Sequence, residues 1–237
     1  MFKQWWADYK RLSQSDARWV TIWMIIYLSF LVLDIFFPES SGTSMIKYIG
    51  ILLCIIYAAS KYKKDTLLIL AIILTFAADT ILVWTTAEII GVTLFCVAQL
   101  MHVIRQNKIR ATTFAMFAAI ATASLIAGNF LGIDLIYIIS SIYAVLLCTN
   151  LYLAIKRYEL DKKHFPARCG FYGFVLFICC DINVAARHLV LDGVFPIVLY
   201  PLVSYLVWFF YYPSQVLLAN SSTTKPTRFR ALQKKRA

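Results

Sequence analysis

Residues 66–84 read TLLILAIILTFAADTILVW, an apolar stretch with a single ionisable side chain, Asp79. A helix needs about 20 consecutive apolar residues to cross the hydrocarbon core of a bilayer. This stretch has that length, and it lacks the alternation of polar and apolar residues that marks a barrel strand. It therefore predicts a transmembrane helix with a carboxyl group inside the membrane.

Seven more apolar stretches of similar character occur in the chain. They cover residues 19–37, 45–60, 89–104, 112–130, 133–155, 169–189 and 194–219. The chain is 61% hydrophobic and 15% charged, whereas about a quarter of the residues in a soluble domain are charged. Its mean hydropathy is +0.74. These numbers exclude a water-soluble globule, a disordered chain and a disulfide scaffold, and they predict an all-α polytopic membrane protein with eight transmembrane helices.

The positive charges predict the orientation of these helices. The net charge is +11, from 23 Lys and Arg against 12 Asp and Glu. If eight helices alternate in direction, all the basic residues except Lys47 and Arg187 fall on one side, which the positive-inside rule identifies as the cytoplasm. We therefore expect both termini in the cytoplasm of a bacterial plasma-membrane protein, with anionic lipid headgroups, not nucleic acid, as the partners of the basic surface.

The same reading divides the chain into three parts. Residues 1–18 are expected to form a cytoplasmic or interfacial segment, residues 19–219 the transmembrane domain, and residues 220–237 a basic, disordered cytoplasmic tail.

Three aspartates lie inside the predicted helices: Asp34, Asp79 and Asp181. An Asp at the centre of an inserting helix costs roughly 2.5–3.5 kcal/mol, so such residues are functional candidates. Asp79 and Asp181 lie at similar depths in two helices that run in the same direction, and nothing in the topology prevents them from facing each other. Asp34 lies nearer the interface and favours a structural role. The alternative for all three is to tie helices together, with Arg187 as an available partner.

Other polar residues accompany these carboxyl groups. Gln99 and His102 are three residues apart and share one helix face, Asn183 follows Asp181, and Gln215 lies in the last apolar stretch. A lone membrane Gln or Asn usually links helices. The three histidines form no HxxxH or HExxH pair, and there is no Gly-rich phosphate loop, so neither a metal nor a cofactor is expected.

Four short segments, taken in order, resemble the YhhN/TMEM86 (lysoplasmalogenase) family of eight-span membrane proteins. They are FAADTILVW at 76–84, GVTLFCVAQL at 91–100, GFVLFICCD at 173–181 and YYPSQVLLA at 211–219. Both aspartates match the family pattern. The chain departs from it at Ala78 and Cys180, where members often have Gly and Ser, and at Gln99 and His102, where members often have His and Tyr.

The resemblance implies hydrolysis of the vinyl ether bond of a lysophospholipid. Vinyl ethers yield to acid, through protonation of carbon and an oxocarbenium ion to which water adds. Two carboxyl groups in a dry site suit this chemistry, because one can stay protonated while the other stabilises the cation or activates water. The resemblance thus implies Asp79 and Asp181 as catalytic residues, without deciding which is the acid. It implies Gln99, His102, Asn183, Arg187 and Gln215 as substrate-binding residues.

Two other classes of function remain open from the sequence. Intramembrane aspartates also serve ion coupling in transporters, although no inverted repeat or pair of broken helices is visible. A non-catalytic membrane scaffold is the third possibility, in which the aspartates only hold helices together.

Overall fold

A computed structural model describes residues 14–37, 40–107, 122–124, 126, 128 and 130–223. Within these residues the chain forms helices and no strand. The long helices are α1 (Gln14–Phe36), α2 (Ser41–Lys61), α3 (Thr66–Trp84), α4 (Glu88–Asn107), α5 (Leu135–Leu160), α6 (Phe165–Leu191) and α7 (Tyr200–Ala219). A short 3₁₀ helix, Ile197–Leu199, leads into α7.

All seven of these helices are long and apolar enough to cross a membrane. The prediction of an all-α multi-pass membrane protein is therefore confirmed. Most of the predicted span at residues 112–130 lies outside the described residues. The eighth span and the placement of both termini therefore stay predictions. Residues 1–13 and 224–237, which make up most of the two predicted terminal segments, also lie outside them.

The helix boundaries follow local capping signals. Helix α3 matches the predicted range residue for residue, because Asp65 accepts a hydrogen bond from the Leu68 backbone N–H at 3.3 Å at one end. At the other end, the Thr85 N–H donates to the Ile81 carbonyl. Helices α1 and α6 begin at Gln14 and Phe165, about one turn before the apolar stretches on which the predictions rest.

One boundary of the predicted domain division needs correction at the C-terminal end. Asn220, Ser221 and Ser222 fall in the predicted solvated tail, but all three side chains are buried. They remain packed because each makes side-chain hydrogen bonds, Ser222 to the carboxylate of Asp65 among them. The ordered part of the chain therefore extends past the end of α7.

The chain forms two compact units. The first unit comprises Met1–Tyr57 and Lys163–Ser221, and the second comprises Ala58–Lys162 and Ser222–Ala237. In the first unit, α6 packs along α7 and α1 also contacts α7. A Cβ atom on Gly173 of α6 would lie 2.9 Å from a methyl group of Leu218. The glycine therefore lets these two helices approach closely, as small residues do in membrane helix pairs.

In the second unit, α4 packs against both α3 and α5. Helix α3 turns small and aliphatic side chains to the interior, namely Leu68, Ala71, Ile72, Thr75 and Ala78.

The outer surface of the helices is strongly apolar. On α1 alone, large exposed side chains recur along the whole helix: Ile22, Met24, Ile25, Leu28, Val32 and Ile35. An apolar surface this extensive is rare on monomeric soluble proteins. It is the surface expected of a helix that faces lipid.

Candidate functional site

Asp79 belongs to the packed face of α3. It follows Ile72 and Thr75 by seven and four residues, so all three share one side of the helix. Ile72 and Thr75 are buried, and Asp79 itself is half-buried. The carboxylate therefore lies on the side of α3 that meets other helices in the second unit, where lipid does not surround it.

Asp181 occupies the equivalent kind of position in the first unit. It follows Phe174 and Phe177 by seven and four residues, and both rings are buried on the face of α6 that packs on α7. The ring of Phe177 meets that of Tyr211 edge to face, with 5.7 Å between centroids. Asp181 is half-buried, whereas its neighbour Ile182 is 62% exposed. The carboxylate is thus on the interior side of its helix.

The start of α6 sets where Asp181 lies along its helix. Helix α6 begins at Phe165, four residues before the predicted span. At 1.5 Å per residue, this moves Asp181 about 6 Å farther from the start of its helix than the sequence count gives. The two aspartates belong to different units of the chain.

Gln99 is held by an amide cluster between α4 and α5. The Asn150 side chain donates to both the backbone carbonyl and the side-chain oxygen of Gln99, each at 2.9 Å. It also accepts a hydrogen bond from Gln106 at 2.9 Å. Gln99 and Asn150 are both fully buried. The Gln99 side chain therefore links helices, as the sequence suggests, and its position is fixed.

The nitrogen of the Gln99 amide is not used by this cluster. Gln99 Nε2 is buried and has no hydrogen-bond partner among the described residues. A buried donor without a partner costs about 1–3 kcal/mol. This amide is consequently available to an acceptor other than the residues that the structure describes.

His102 lies one turn further along the same face of α4, next to Arg105. Its Nδ1 is 3.2 Å from Arg105 Nη2. A guanidinium group can only donate, so Nδ1 accepts and the imidazole carries its proton on Nε2. Arg105 Nη1 in turn lies 3.7 Å from Asp65 Oδ2. Gln99, His102 and Arg105 thus follow one another on α4, and Arg105 faces the Asp65 carboxylate that caps α3.

The residue that sequence reasoning missed is Asp65. Its Oδ2 accepts from the Ser222 hydroxyl and from the Thr223 backbone N–H, both at 2.8 Å. Arg157 of α5 donates to the Ser222 carbonyl, also at 2.8 Å. An Asp directly before an apolar stretch is a recognisable helix cap, but no local pattern reveals that it also holds a residue 157 positions away. The role of Asp65 in this network is structural.

Two polar residues follow Asp181 in α6, and they differ in the hydrogen-bond donors that they have available for a ligand. The Asn183 side-chain nitrogen donates to the Cys179 carbonyl of its own helix at 2.7 Å, which uses one of its two N–H donors. Arg187, one turn later, is half-buried, and its buried Nε has no partner in the described part of the chain. Arg187 carries a positive charge as well as this donor, so it is the better suited of the two to an anionic group.

Gln215 is buried in α7 beside Ser214. Its amide nitrogen is 3.4 Å from the Ser214 hydroxyl, which itself donates to the Tyr211 carbonyl at 2.7 Å. The contact to Ser214 is long for a hydrogen bond. Gln215 therefore lies inside the first unit, on the helix that α6 packs against.

Pro213 interrupts the hydrogen bonding of α7, and another helix compensates. Proline has no N–H, so the Phe209 carbonyl four residues earlier loses its helical partner. The Tyr27 hydroxyl of α1 donates to that carbonyl at 2.9 Å. The Tyr27 ring also stacks on Tyr212 at 5.7 Å between centroids. The conformation of α7 ahead of Ser214 and Gln215 is therefore supported by α1.

Asp34 has a structural role, as the sequence favours, but with a different partner. Its carboxylate pairs with Lys47 of α2, both side chains being buried. The Lys47 ammonium also lies 4.9 Å from the ring centroid of Trp208. Arg187, the partner considered from the sequence, forms no ion pair with the described residues.

Among the residues that the structure describes, no group of three or more His, Cys, Asp and Glu side chains could hold a metal ion.

Comparison with known proteins gives one match. A sequence model of the YhhN family matches residues 42–222, more than half of the chain. All the candidate catalytic and substrate-binding residues lie in the matched range. No curated protein and no solved structure matches the chain.

Proposed function

The chain belongs to the YhhN family, and from that premise we propose that it is a membrane-embedded hydrolase of the lysoplasmalogenase type. Its substrate is a lysophospholipid with a vinyl ether bond. The observation that carries the proposal is that two intramembrane carboxylates, Asp79 and Asp181, sit on packed helix faces in the family's motif positions. A carboxylate inside a membrane span costs free energy on insertion, so its presence there favours a functional role.

The reaction consumes water and releases two products. A proton adds to the carbon of the double bond that is remote from oxygen, and the electrons of the double bond form the new C–H bond. The resulting oxocarbenium ion takes up water at its cationic carbon and loses a proton, which gives a hemiacetal. Collapse of the hemiacetal breaks the C–O bond and leaves a fatty aldehyde and a glycerophospho-alcohol.

Asp79 and Asp181 supply the two carboxyl groups that this sequence of steps needs. One of them, protonated, delivers the proton to carbon. The other, ionised, stabilises the cation or removes a proton from the attacking water. Glycosidases divide the work between two carboxyl groups around a similar cation. Partial burial of both residues supports the proposal, since a poorly hydrated site favours one protonated group in such a pair.

The structural observations support some of the proposed binding residues more than others. Gln99 and Arg187 each keep a buried donor without a partner among the described residues, and these donors suit the acceptor oxygens of a headgroup or of the reacting water. Arg187 is the candidate for the phosphate, because guanidinium and phosphate match in geometry. His102, Asn183 and Gln215 complete the proposed binding set as polar side chains on the same helices or on α7.

The setting of the reaction is proposed to be the plasma membrane of a bacterium. A single-chain lipid can reach an intramembrane site laterally, with its tail in the bilayer throughout. The basic loops then face the cytoplasm and attract anionic headgroups.

The experiment that tests this function is aldehyde release by the purified full-length protein. Lysoplasmenyl-ethanolamine is the substrate, and the lysolipid with a saturated ether in the same position is the matched control, because it has no double bond to protonate. We expect aldehyde from the first and none from the second. In D₂O the aldehyde should carry one deuterium on the carbon next to the carbonyl. No aldehyde from well-folded protein, or equal cleavage of the saturated ether, would contradict the proposal.

A further inference from the structure

Helix α6 is long enough to relate Asp181 to both surfaces of the membrane. It has 27 residues, from Phe165 to Leu191, and at 1.5 Å per residue it is about 40 Å long. The hydrocarbon core is about 30 Å thick, and the headgroup regions bring the bilayer to about 40–45 Å. Lys163, two residues before the helix, is exposed, and a lysine at the end of a span extends to the headgroups. Helix α6 therefore reaches from one headgroup region to the other.

These dimensions place Asp181 near the leaflet in which α6 ends. Asp181 follows Phe165 by sixteen residues, which is about 24 Å along the helix axis. Arg187 and His188 follow Asp181 by six and seven residues, so they lie about 33–35 Å from the start of the helix. With that start at one edge of the hydrocarbon core, Asp181 is about 6 Å inside the opposite edge. The two basic side chains then lie just beyond that edge, among the headgroups.

The last turn of α6 carries the groups that hold an anion. Arg187 is half-buried and His188 is exposed. The guanidinium is positively charged, and the imidazole has an N–H to donate. Unpaired carbonyls at the end of a helix repel an anion, but here the following loop occupies them. The Asp192 N–H donates to the His188 carbonyl at 2.8 Å, and the Val194 N–H donates to the Leu189 carbonyl at 2.9 Å.

Lipid borders these two side chains on both sides. Gly193, with a φ of +76°, reverses the chain directly after α6. Large apolar side chains are exposed in the segment that follows: Val194, Phe195, Ile197 and Val198. Such a dense apolar surface is expected to lie in the bilayer, not in water. Ile182, next to Asp181, is exposed as well. A lipid can therefore reach Arg187 and His188 without leaving the membrane.

The spacing along α6 matches the dimensions of the lysolipid. Six residues separate Arg187 from Asp181, which is about 9 Å along the helix. In the lysolipid, seven bonds separate the phosphorus atom from the carbon that takes up the proton, and at about 1.1–1.2 Å per bond of an extended chain this is about 8 Å. A lipid with its head at the end of α6 thus has its vinyl ether at the level of Asp181.

We propose that the lysolipid enters from the leaflet in which α6 ends, and that His188 joins Arg187 in holding its phosphate. The tail then points toward the middle of the bilayer, as it does in the membrane. The positive-inside rule identifies this leaflet as the outer one. A lipid of the opposite leaflet has its phosphate near Phe165, about 24 Å from the level of Asp181, and must first cross the bilayer. This inference rests on the proposed hydrolysis.

Proteoliposomes of the full-length protein test the leaflet. Helix α7 runs back along α6, so a C-terminal tag lies on the side of the membrane opposite to Arg187 and His188. Vesicles with the tag outward are separated from the others on an affinity resin, and lysoplasmenyl-ethanolamine is added from outside only. We expect initial aldehyde release to be at least 10-fold faster when the tag is inward. Dissolving the vesicles in detergent should make the two rates equal.

The outcomes separate this inference from the function on which it rests. Equal rates in intact vesicles, or faster release with the tag outward, would overturn the assignment of the leaflet while aldehyde release in detergent still supported hydrolysis. No aldehyde in detergent, from well-folded protein, would contradict hydrolysis itself and the inference with it.

Substitutions of His188 test its contact with the phosphate. His188→Leu removes the N–H and should raise KM for lysoplasmenyl-ethanolamine about 2- to 10-fold at unchanged kcat, as expected for one hydrogen bond. His188→Gln keeps a donor and should retain the parental KM. His164→Leu, at the opposite end of α6, is the matched control and should also leave KM unchanged.

A substrate without phosphate completes the test. With 1-alkenylglycerol, which keeps the vinyl ether but has no phosphate, His188→Leu should have the parental KM. An unchanged KM of His188→Leu for lysoplasmenyl-ethanolamine, or an equal rise for both substrates, would contradict the role of His188.

Discussion

The ammonium group of Lys47 lies 2.6 Å from the carboxylate of Asp34, with both side chains buried inside the first unit. Lys47 is also within 5.7 Å of the ring centroid of Phe30 and closer to that of Trp208. An ammonium group among aromatic rings is tolerated because the carboxylate neutralises it and the ring faces attract it. The pair joins α1 to α2 where a lone charge of either sign would be unfavourable.

Removing one member of this pair should therefore be costly. Lys47→Met leaves the Asp34 carboxylate buried without a counter-charge, and we expect it to lower the free energy of unfolding by about 3–5 kcal/mol. Unfolding in detergent micelles, followed by circular dichroism, measures the change. The double variant Lys47→Met with Asp34→Leu removes both charges and should recover most of the loss. If Lys47→Met is as stable as the parent, the ion pair does not contribute to the free energy of unfolding in this way.

The bond from Tyr27 to the Phe209 carbonyl should matter only while Pro213 is present. Tyr27→Phe keeps the ring but leaves that carbonyl without a donor, and should cost about 1–3 kcal/mol of unfolding free energy. In a Pro213→Ala background the residue at 213 supplies its own N–H, so the same Tyr27→Phe change should have little effect. Equal losses in both backgrounds would mean that the hydroxyl does not compensate for the proline.

Ser222 should be coupled energetically to Asp65. Ser222→Ala removes a hydrogen bond to a charged acceptor and should lower the free energy of unfolding by about 1.5–3 kcal/mol. In an Asp65→Asn background that loss should be much smaller. Ser221→Ala is the matched control, since Ser221 is also buried but donates to Leu218. Its effect should be the same in the parent and in the Asp65→Asn background, and coupling of Ser221 comparable to that of Ser222 would contradict the assignment.

Arg187 should act on substrate binding more than on turnover. Its unpartnered Nε is proposed to meet the phosphate of the lysolipid, so Arg187→Gln should raise KM for lysoplasmenyl-ethanolamine about 10-fold, the loss of roughly one charge-assisted hydrogen bond, and change kcat little. Arg18→Gln, at an exposed position, provides the control for loss of positive charge in general. A fall in kcat at unchanged KM would assign Arg187 to a different role.

The part of the fold that sequence can predict is the part that hydropathy and capping determine. The range of α3 is predictable to the residue because Asp65 and Thr85 cap it at the ends of the apolar stretch. The prediction for helix α6 is about one turn short, because Arg168 interrupts the apolar sequence four residues into the helix, although its side chain is buried. A span prediction that counts apolar residues ends at a charged residue, even where its side chain is buried among the helices.

The candidate site is less predictable, since partners depend on how helices are rotated against one another. Asp79 and Asp181 stand out in sequence because a charge in an apolar stretch is rare, and the structure places both on packed faces. In the sequence, by contrast, Lys47 stands out only as an exception to the positive-inside rule. No sequence pattern near it indicates that it pairs with Asp34. The Asn150 amide likewise gives no sign in sequence that it fixes Gln99.

The central claim is that the carboxyl groups of Asp79 and Asp181 carry out the chemistry, and it is tested most directly by aldehyde release from lysoplasmenyl-ethanolamine by Asp79→Asn and Asp181→Asn. Asp134→Asn and Asp192→Asn, at exposed positions next to α5 and α6, are the matched controls. General acid–base groups contribute about 10²–10⁴ in rate, so each test variant should lose at least roughly 100-fold in kcat while it inserts and folds normally, and the controls should keep parental rates. Parental turnover in either Asp79→Asn or Asp181→Asn would contradict the claim.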